Sequence, residues 1–213
     1  QKRDKMSWLR LIAFTSGGTL WVSIWTHPIS GGVFLAMNET SPIIRSLEGR
    51  YYTDPEIFAT ERNGLLMRTW QFAGHVSQVA RPGDYFAFEM SGENLFCLRD
   101  RAGEVRTFFN VCQHRAHQLV SGSGHASLVV CPYHSWTYEL TGQLRAGPNI
   151  RSVPDFPKSE ICLTSVRTEV FHGFIFVNFD DDAAPMDDWF PGVREELGAF
   201  VPEIDRLAPL EWV

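Results

Sequence analysis

Two short runs near the middle of the chain bring together residue types that bind metals: VCQHRAHQL from Val111 and CPYHSWTY from Cys131. One residue separates Cys112 from His114, two separate Cys131 from His134, and sixteen lie between His114 and Cys131. On tight loops such spacings let side chains converge, so two loops offer four donors of two kinds. The order is Cys, His, Cys, His, whereas a common zinc finger presents both cysteines before both histidines. Two thiolates for one iron and two imidazoles for a second are the ligands of a mixed-ligand 2Fe–2S centre. Thiolate charge holds its iron ferric, and neutral imidazoles leave theirs easier to reduce. The electron is therefore expected on the histidine side, at a potential above that of an all-cysteine cluster. Tyr133 and Trp136 are expected to keep water away, and backbone N–H groups of both loops to hydrogen-bond the sulfurs. Zinc on the same four residues is the alternative. Cys97 and Cys162 lie in strand-like runs and read as core. His117 reads as structural, and His75, His125 and His172 have no partner at a ligand spacing.

Loops that hold a metal group need a rigid frame. From His75 to Phe179 the chain consists of short runs rich in Val, Phe, Tyr and Ile, broken by Gly, Pro, Asn and Asp. DYFAFEM, ENLFCLRD and EVRTFFNV read as successive antiparallel strands with SG and RAG as tight turns. SWTYELTGQLR reads as a hairpin turning at Thr141 and Gly142, and ICLTSVRTEV and HGFIFVNFD close the series. The fold class is mainly β, a small antiparallel domain with flanking helices. Ahead of it, TDPEIFATERNGLLMRTW predicts one helix opened by a Thr53/Glu56 capping box with Pro55 in the first turn. Ile57, Phe58, Leu65, Leu66 and Trp70 give it an apolar face, and Gly64 weakens it by about 1 kcal/mol relative to alanine. After Phe179 an acidic stretch predicts a solvated loop, with docking of a basic redox partner as the sharper alternative. A short helix is predicted from Pro191 to Phe200, and PLEWV at the end is strand-like.

The 213 residues are 44% hydrophobic, enough for a real core. With 25 acidic against 19 basic residues and a net charge of −6, nucleic acid is excluded as a default partner. Four cysteines do not make a disulfide framework, and a reducing, cytoplasmic compartment is expected. Residues 11–38 carry no formal charge and follow Lys2, Arg3 and Lys5, which raises an anchor or signal reading. Gly17, Gly18, Pro28, Gly31 and Gly32 dilute the apolar run, and no membrane association is expected. Because the first residue is Gln1, the reading frame is expected to be incomplete there, with MNETSPIIRS at Met37 resembling a natural start and residues 1–36 an upstream extension. The expected organisation is an extension over 1–40, a helical lead-in over 41–70, the cluster domain over 71–182, and a helix with the start of a further domain over 183–213.

Together, CQHR and CPYHSWTY resemble the cluster signature of the large (alpha) subunit of Rieske non-heme iron oxygenases, the ring-hydroxylating type. The likeness runs from RYYTDPEIFATERNGLLMRTWQFAGH through GFIFVNFD to PLEWV. It implies a Rieske-type β domain in which Cys112 and Cys131 bind one iron and His114 and His134 the other. Respiratory-chain Rieske proteins carry an extra cysteine in each loop, where this chain has Arg115 or Ala116 and Tyr133. Trp136 stands where that high-potential branch has serine, so the similarity is to the low-potential oxygenase branch. In the family a second domain holds a mononuclear iron on two histidines and a carboxylate. After His134 this chain has only His172, so it is expected to be the N-terminal part, with no catalytic residue of its own. The resemblance further implies a reductase or ferredoxin donor, a homotrimer at full length, and a carboxylate linking a cluster histidine to the neighbouring subunit's iron site. Ser135, where many aromatic-ring enzymes have glycine, resembles the branch acting on betaines and other quaternary amines. Aromatic hydroxylation stays open, as do a stand-alone Rieske ferredoxin and a zinc-stabilised binding module.

Overall fold

The structure is a computed structural model that describes residues 10–16, 19–25, 33–38, 46–148, 150–201 and 203–204. The chain divides into two compact units, Gln1–Tyr52 and Thr53–Val213. In the first, β1 (Arg10–Ser16), β2 (Thr19–Trp25) and β3 (Val33–Asn38) form an antiparallel meander, with Ser16 opposite Thr19 and Thr19 opposite Asn38. The described parts of the uncharged run are thus strands, and no helix among the described residues is long and apolar enough to cross a membrane. A single turn, α1 (Arg50–Thr53), follows.

The predicted helix forms as α2 (Pro55–Gly64), shorter than its apolar pattern suggested. Its N-cap is Asp54, not Thr53: the Asp54 carboxylate accepts the Glu56 N–H at 2.9 Å, with Pro55 in the first turn. The helix stops at Gly64, the weakest helix former beyond its first turn, and a 3₁₀ turn covers Leu66–Arg68. Tertiary anchors then draw the chain away from a helical path. Trp70 Nε1 donates to the Ala184 carbonyl at 3.0 Å, and Asn178 donates to the Arg68 carbonyl at 3.5 Å. Arg62 fastens α2 to the sheet through the Ser91 carbonyl and through Glu93 at 2.7 Å.

Ten strands follow: β4 (Gln71–His75), β5 (Asp84–Met90), β6 (Glu93–Arg99), β7 (Val105–Phe109), β8 (Ser123–His125), β9 (Val129–Val130), β10 (Thr137–Tyr138), β11 (Leu144–Ala146), β12 (Ser165–Phe171) and β13 (Phe174–Asn178). Seven make one antiparallel sheet in the order β4-β13-β12-β7-β6-β5-β8, and β11-β10-β9 make a small second sheet. The chain closes with α3 (Met186–Trp189) and α4 (Val193–Phe200), the latter being the helix predicted after Pro191. Residues 205–213, including the strand-like PLEWV, lie outside the described residues.

Turn chemistry sets the register. Ser91 (φ 52°) and Gly92 (φ 80°) join β5 to β6, and His172 (φ 50°) and Gly173 (φ 79°) join β12 to β13. Paired left-handed residues suit two-residue hairpins because their twist matches that of the strands. Between β6 and β7 the buried Asp100 carboxylate accepts N–H bonds from Ala102 (2.8 Å) and Glu104 (2.9 Å) and pairs with Arg106 at 2.7 Å. Strand β6 is central and covered on both faces. Phe96 and Leu98 enter one core with Phe108, Leu119, Tyr138 and Leu144, whereas Leu95 and Cys97 serve two smaller clusters. Each such side chain contributes about 1.5–3 kcal/mol. Cys97 is core as expected, and burial pushes its thiol up to about 12. Cys162 is not: it is exposed and pairs with Gln143 through an isolated bridge, because β12 begins three residues later at Ser165.

Candidate functional site

The first run lies between β7 and β8. Its entry is fixed by Asn110, 2% exposed, whose Oδ1 accepts the N–H groups of Leu119 and Val120 at 3.0 Å each. The Asn110 Nδ2 donates to Asn94 Oδ1 (3.0 Å) and to the Val120 carbonyl (2.8 Å). One side chain thus sutures both ends of the loop to β6. Inside it, Cys112 N–H donates to the His117 carbonyl at 2.8 Å and the Cys112 carbonyl accepts from Ala116 at 2.9 Å, with Ala116 left-handed at φ 53°.

The second run repeats this construction. Strands β9 and β10 pair Val130 with Thr137, so residues 131–136 form the hairpin loop between them. Cys131 N–H donates to the Trp136 carbonyl at 2.8 Å, the Cys131 carbonyl accepts from Ser135 at 3.0 Å, and Ser135 is left-handed at φ 56°. In each loop a cysteine opens a tight turn whose fifth residue takes positive φ. The histidine sits inside the turn, two residues along in the first loop and three in the second.

The structure brings the four predicted ligands together as two pairs, Cys112 with Cys131 and His114 with His134. Cys112 and Cys131 are free thiols, each 2% exposed, rooted in the larger core and close enough to act on each other. His114 is exposed and His134 half-buried, with ring centroids 4.8 Å apart at 70°. Burial raises the Cys112 thiol, and two adjacent buried thiolates need a positive partner to offset their desolvation. The Nδ1 of His134 is buried without a hydrogen-bond partner. Burial, then the cationic influence of His114, Arg115 and His117, lowers the His134 imidazole, favouring the neutral form that can ligate. Among the described residues no three His, Cys, Asp or Glu side chains converge on one point as a single ion requires. The donors instead divide into a thiol pair within the core and an imidazole pair at the surface. That division, with the orphaned Nδ1, fits a two-iron group.

Aromatic rings frame the imidazoles. Trp136, 9% exposed, stacks on His114 at 4.7 Å and 9°. Gly147 permits this, since a Cβ there would stand 2.8 Å from the Trp136 ring. Tyr133 lies against the other imidazole, its ring 3.7 Å from that of His134, and is itself 57% exposed. An apolar cleft of about 450 Å³ opens over His114, His134 and Trp136, walled by Pro148, Ile150 and Phe156.

Two residues with a bearing on the site escape a reading of the ligand motif. Asn110 is one, although an Asn ending an apolar strand is a recognised turn former. Tyr138 is the other: fully buried, its hydroxyl lies 3.2 Å from Cys112 Sγ and accepts the Gln113 N–H at 3.1 Å. Strand alternation from Trp136 points Tyr138 inward, a signal the sequence does carry. Among the described residues, the other histidines make structural contacts. His117 Nδ1 is 2.6 Å from the Gln118 carbonyl, His125 pairs with Asp84, His75 caps a 3₁₀ turn, and His172 Nε2 is 2.8 Å from the Arg194 carbonyl.

Comparison with known proteins agrees with this geometry. Residues 69–157 match the Rieske [2Fe-2S] domain. The chain is 36% identical over 163 residues to the carnitine monooxygenase oxygenase subunit of Escherichia coli K12, covering 76% of this chain and 44% of that protein. It is 34% identical over 153 residues to the 2-aminobenzenesulfonate 2,3-dioxygenase alpha subunit of an Alcaligenes species, covering 70% and 39%. Among solved structures, the quaternary ammonium Rieske monooxygenase in complex with gamma-butyrobetaine superposes with a TM-score of 0.73 at 34% identity, over 78% of this chain and 48% of that one. The chain therefore spans less than half the length of these relatives. A mainly antiparallel β domain with this match, and homology to carnitine and aromatic oxygenases alike, makes the chain a member of the Rieske oxygenase alpha-subunit family, corresponding to its Rieske [2Fe-2S] region.

Proposed function

We propose that this chain is the electron-transferring part of an oxygenase. It takes single electrons from a reductase or ferredoxin and passes them to a mononuclear iron in a further domain, where dioxygen is activated. Cys112 and Cys131 hold one iron of a 2Fe–2S group, and His114 and His134 hold the other. The observation that carries this reading is the pairing of two buried free thiols with two surface imidazoles, one presenting an unpartnered buried Nδ1. When bound, the group supplies a one-electron couple at a potential raised by its neutral ligands.

The chain's own residues do the rest. The two like-built loops set the donors, Asn110 closes the first of them, and the Tyr138 hydroxyl can donate to Cys112 Sγ. Trp136 excludes water from one face of His114. With the His134 Nδ1 turned inward, the free ring N–H of His134, or that of His114, would donate to a carboxylate of the accepting subunit in a homotrimer. Residues 71–182 are the cluster domain in this reading, and a reducing cytoplasm suits the four free cysteines. The likeness to carnitine monooxygenase favours a quaternary-amine substrate over an aromatic one.

His134→Ala tests the ligand set. After anaerobic reconstitution the chain should show acid-labile sulfide and, once reduced with dithionite, a mixed-valence EPR signal, and the variant should lose that signal. An unchanged signal in the variant refutes the assignment. For the substrate, an alpha subunit carrying this region should consume dioxygen faster with gamma-butyrobetaine than with naphthalene, and the reverse order overturns the choice.

A further inference from the structure

We propose that Gly147 is a positioning residue for the histidine side of the site: having no side chain, it seats the Trp136 indole on His114, and the indole fixes the plane of that imidazole. The inference rests on the reading of His114 as an iron ligand, and adds what holds its ring in place.

A metal-binding imidazole is usually oriented by a hydrogen bond from its second nitrogen to a carboxylate, a carbonyl or water. Among the described residues the His114 ring has no such partner. Its contacts are aromatic instead. Trp136 lies parallel to it at 4.7 Å and 9°, and His134 meets it at 4.8 Å and 70°. Of these two neighbours only Trp136 is not itself a proposed ligand, and it is buried where His114 is exposed. The imidazole therefore rests on an anchored indole.

Register explains why a glycine faces that indole. Strands β10 and β11 pair Thr137 with Ala146, so the next antiparallel step sets Gly147 across from Trp136. Side chains at opposed positions point to the same face of a sheet. A Cβ on Gly147 would accordingly stand 2.8 Å from Trp136 Cδ1 and 2.9 Å from its Nε1, with Ile150 Cδ1 at 2.7 Å. Carbon atoms pack at about 3.5–4.0 Å, so the neighbours must give way by roughly 1 Å. The Ile150 methyl ends a flexible side chain and can turn aside. The indole is a rigid plane with the Phe156 ring edge-on to it at 6.1 Å and 85°, and it yields by sliding over His114 or lifting away from it. Either movement frees the imidazole plane and opens one of its faces to water. Reduction adds one negative charge to a 2Fe–2S group, and water stabilises that charge, so an uncovered imidazole raises the potential.

The test uses the full chain reconstituted with iron and sulfide and reduced with dithionite. Gly147→Ala should keep its iron and acid-labile sulfide but shift the EPR g values and raise the midpoint potential. Gly142→Ala is the control, since a Cβ there meets Phe108 and Cys162 and not the aromatic stack; it should destabilise the chain without either change. In a Trp136→Phe background, where the smaller ring leaves room for a Cβ, Gly147→Ala should add little. Unchanged g values and potential in Gly147→Ala, or equal changes in Gly142→Ala, overturn the proposal. Should Gly147→Ala fail to fold, Trp136→Phe and Trp136→Leu decide. The flat ring should hold the g values closer to those of the unaltered chain than the branched side chain does, and equal shifts overturn the proposal. If no iron and sulfide are bound, the electron-transfer reading fails instead. The stack is then read by NMR of the cluster-free chain, in which the His114 ring protons should lie upfield in the ring current of the indole and move downfield in Gly147→Ala but not in Gly142→Ala. No such movement overturns the proposal.

Discussion

At the scale of single residues, the site depends on two side chains that are not ligands. Asn110 uses both donors and both acceptor positions of its amide, so truncation orphans the Leu119 and Val120 N–H groups where the first loop returns to the core. Asn110→Ala should cost about 2–4 kcal/mol of unfolding free energy in urea titration of the cluster-free chain and reduce iron retention. Asn110→Asp keeps the acceptors but not the donors and should fall between. Tyr138 acts on the sulfur side. A hydrogen bond to a thiolate favours the more negatively charged, reduced state, so Tyr138→Phe should lower the midpoint potential measured by redox titration. It should also cost about 1–2 kcal/mol, because Gln113 N–H loses its acceptor. A potential that stays put means that the contact at 3.2 Å does not reach the metal. The ligand pattern was legible in order and spacing, but the contacts these two supports make were not, since each joins residues distant in the chain, Asn110 to Asn94 and Tyr138 to Cys112.

At the scale of elements, the two loops are one device used twice, a cysteine turn ending in a left-handed residue that is not glycine. The left-handed region costs an L-residue about 1–2 kcal/mol, and glycine recovers part of it against its own entropy loss. Ser135→Gly and Ala116→Gly should therefore raise the unfolding free energy slightly, by about 0.5–1 kcal/mol each, without moving the spectrum of the bound group. Gly142 shows the opposite case. At φ 89° its missing Cβ would stand 2.7 Å from Phe108, so Gly142→Ala should cost about 2–4 kcal/mol. The Thr141–Gly142 hairpin, the SG turn and the alternating strands could be read from sequence because short-range turn chemistry and period-2 burial specify them. The length of α2 could not. Its apolar pattern continues to Trp70, but the Trp70 indole and the Arg68 carbonyl are claimed by the far end of the sheet, and tertiary bonds outweigh a weak helical tendency past Gly64. Cys162 was misplaced for a related reason: its apolar neighbours suggested a strand, while its only pairing is one bridge.

For the whole molecule, stability should depend on acid in two windows set by groups away from the ligands. His75 is 4% exposed, and burial lowers its imidazole. The unfolded chain then binds a proton that the folded chain refuses, so stability is complete above the ordinary histidine value of about 6.5 and declines below it. Asp84 is held at about 2, first by the His125 hydrogen bond and then by the Arg81 N–H. Burial alone would raise Asp100, but Arg106 and the Glu104 and Ala102 N–H groups override it and bring it below its ordinary value. For both carboxylates the folded value is depressed, so their contribution is present above about 4 and is lost as pH falls through the folded value. Urea midpoints of the cluster-free chain should therefore decline once below about pH 6.5 and again below about pH 4. His75→Asn retains a capping acceptor for Ser77 N–H but cannot titrate in this range, and should weaken the first decline while keeping the second. Asp84→Asn should lower the midpoint at neutral pH and flatten the second, because the pairing with His125 at 2.9 Å is removed. If Asp84→Asn leaves the slope below pH 4 intact, acid unfolding is governed by other carboxylates, and the Asp84–His125 pair that joins β5 to β8 does not set the acid limit of the sheet.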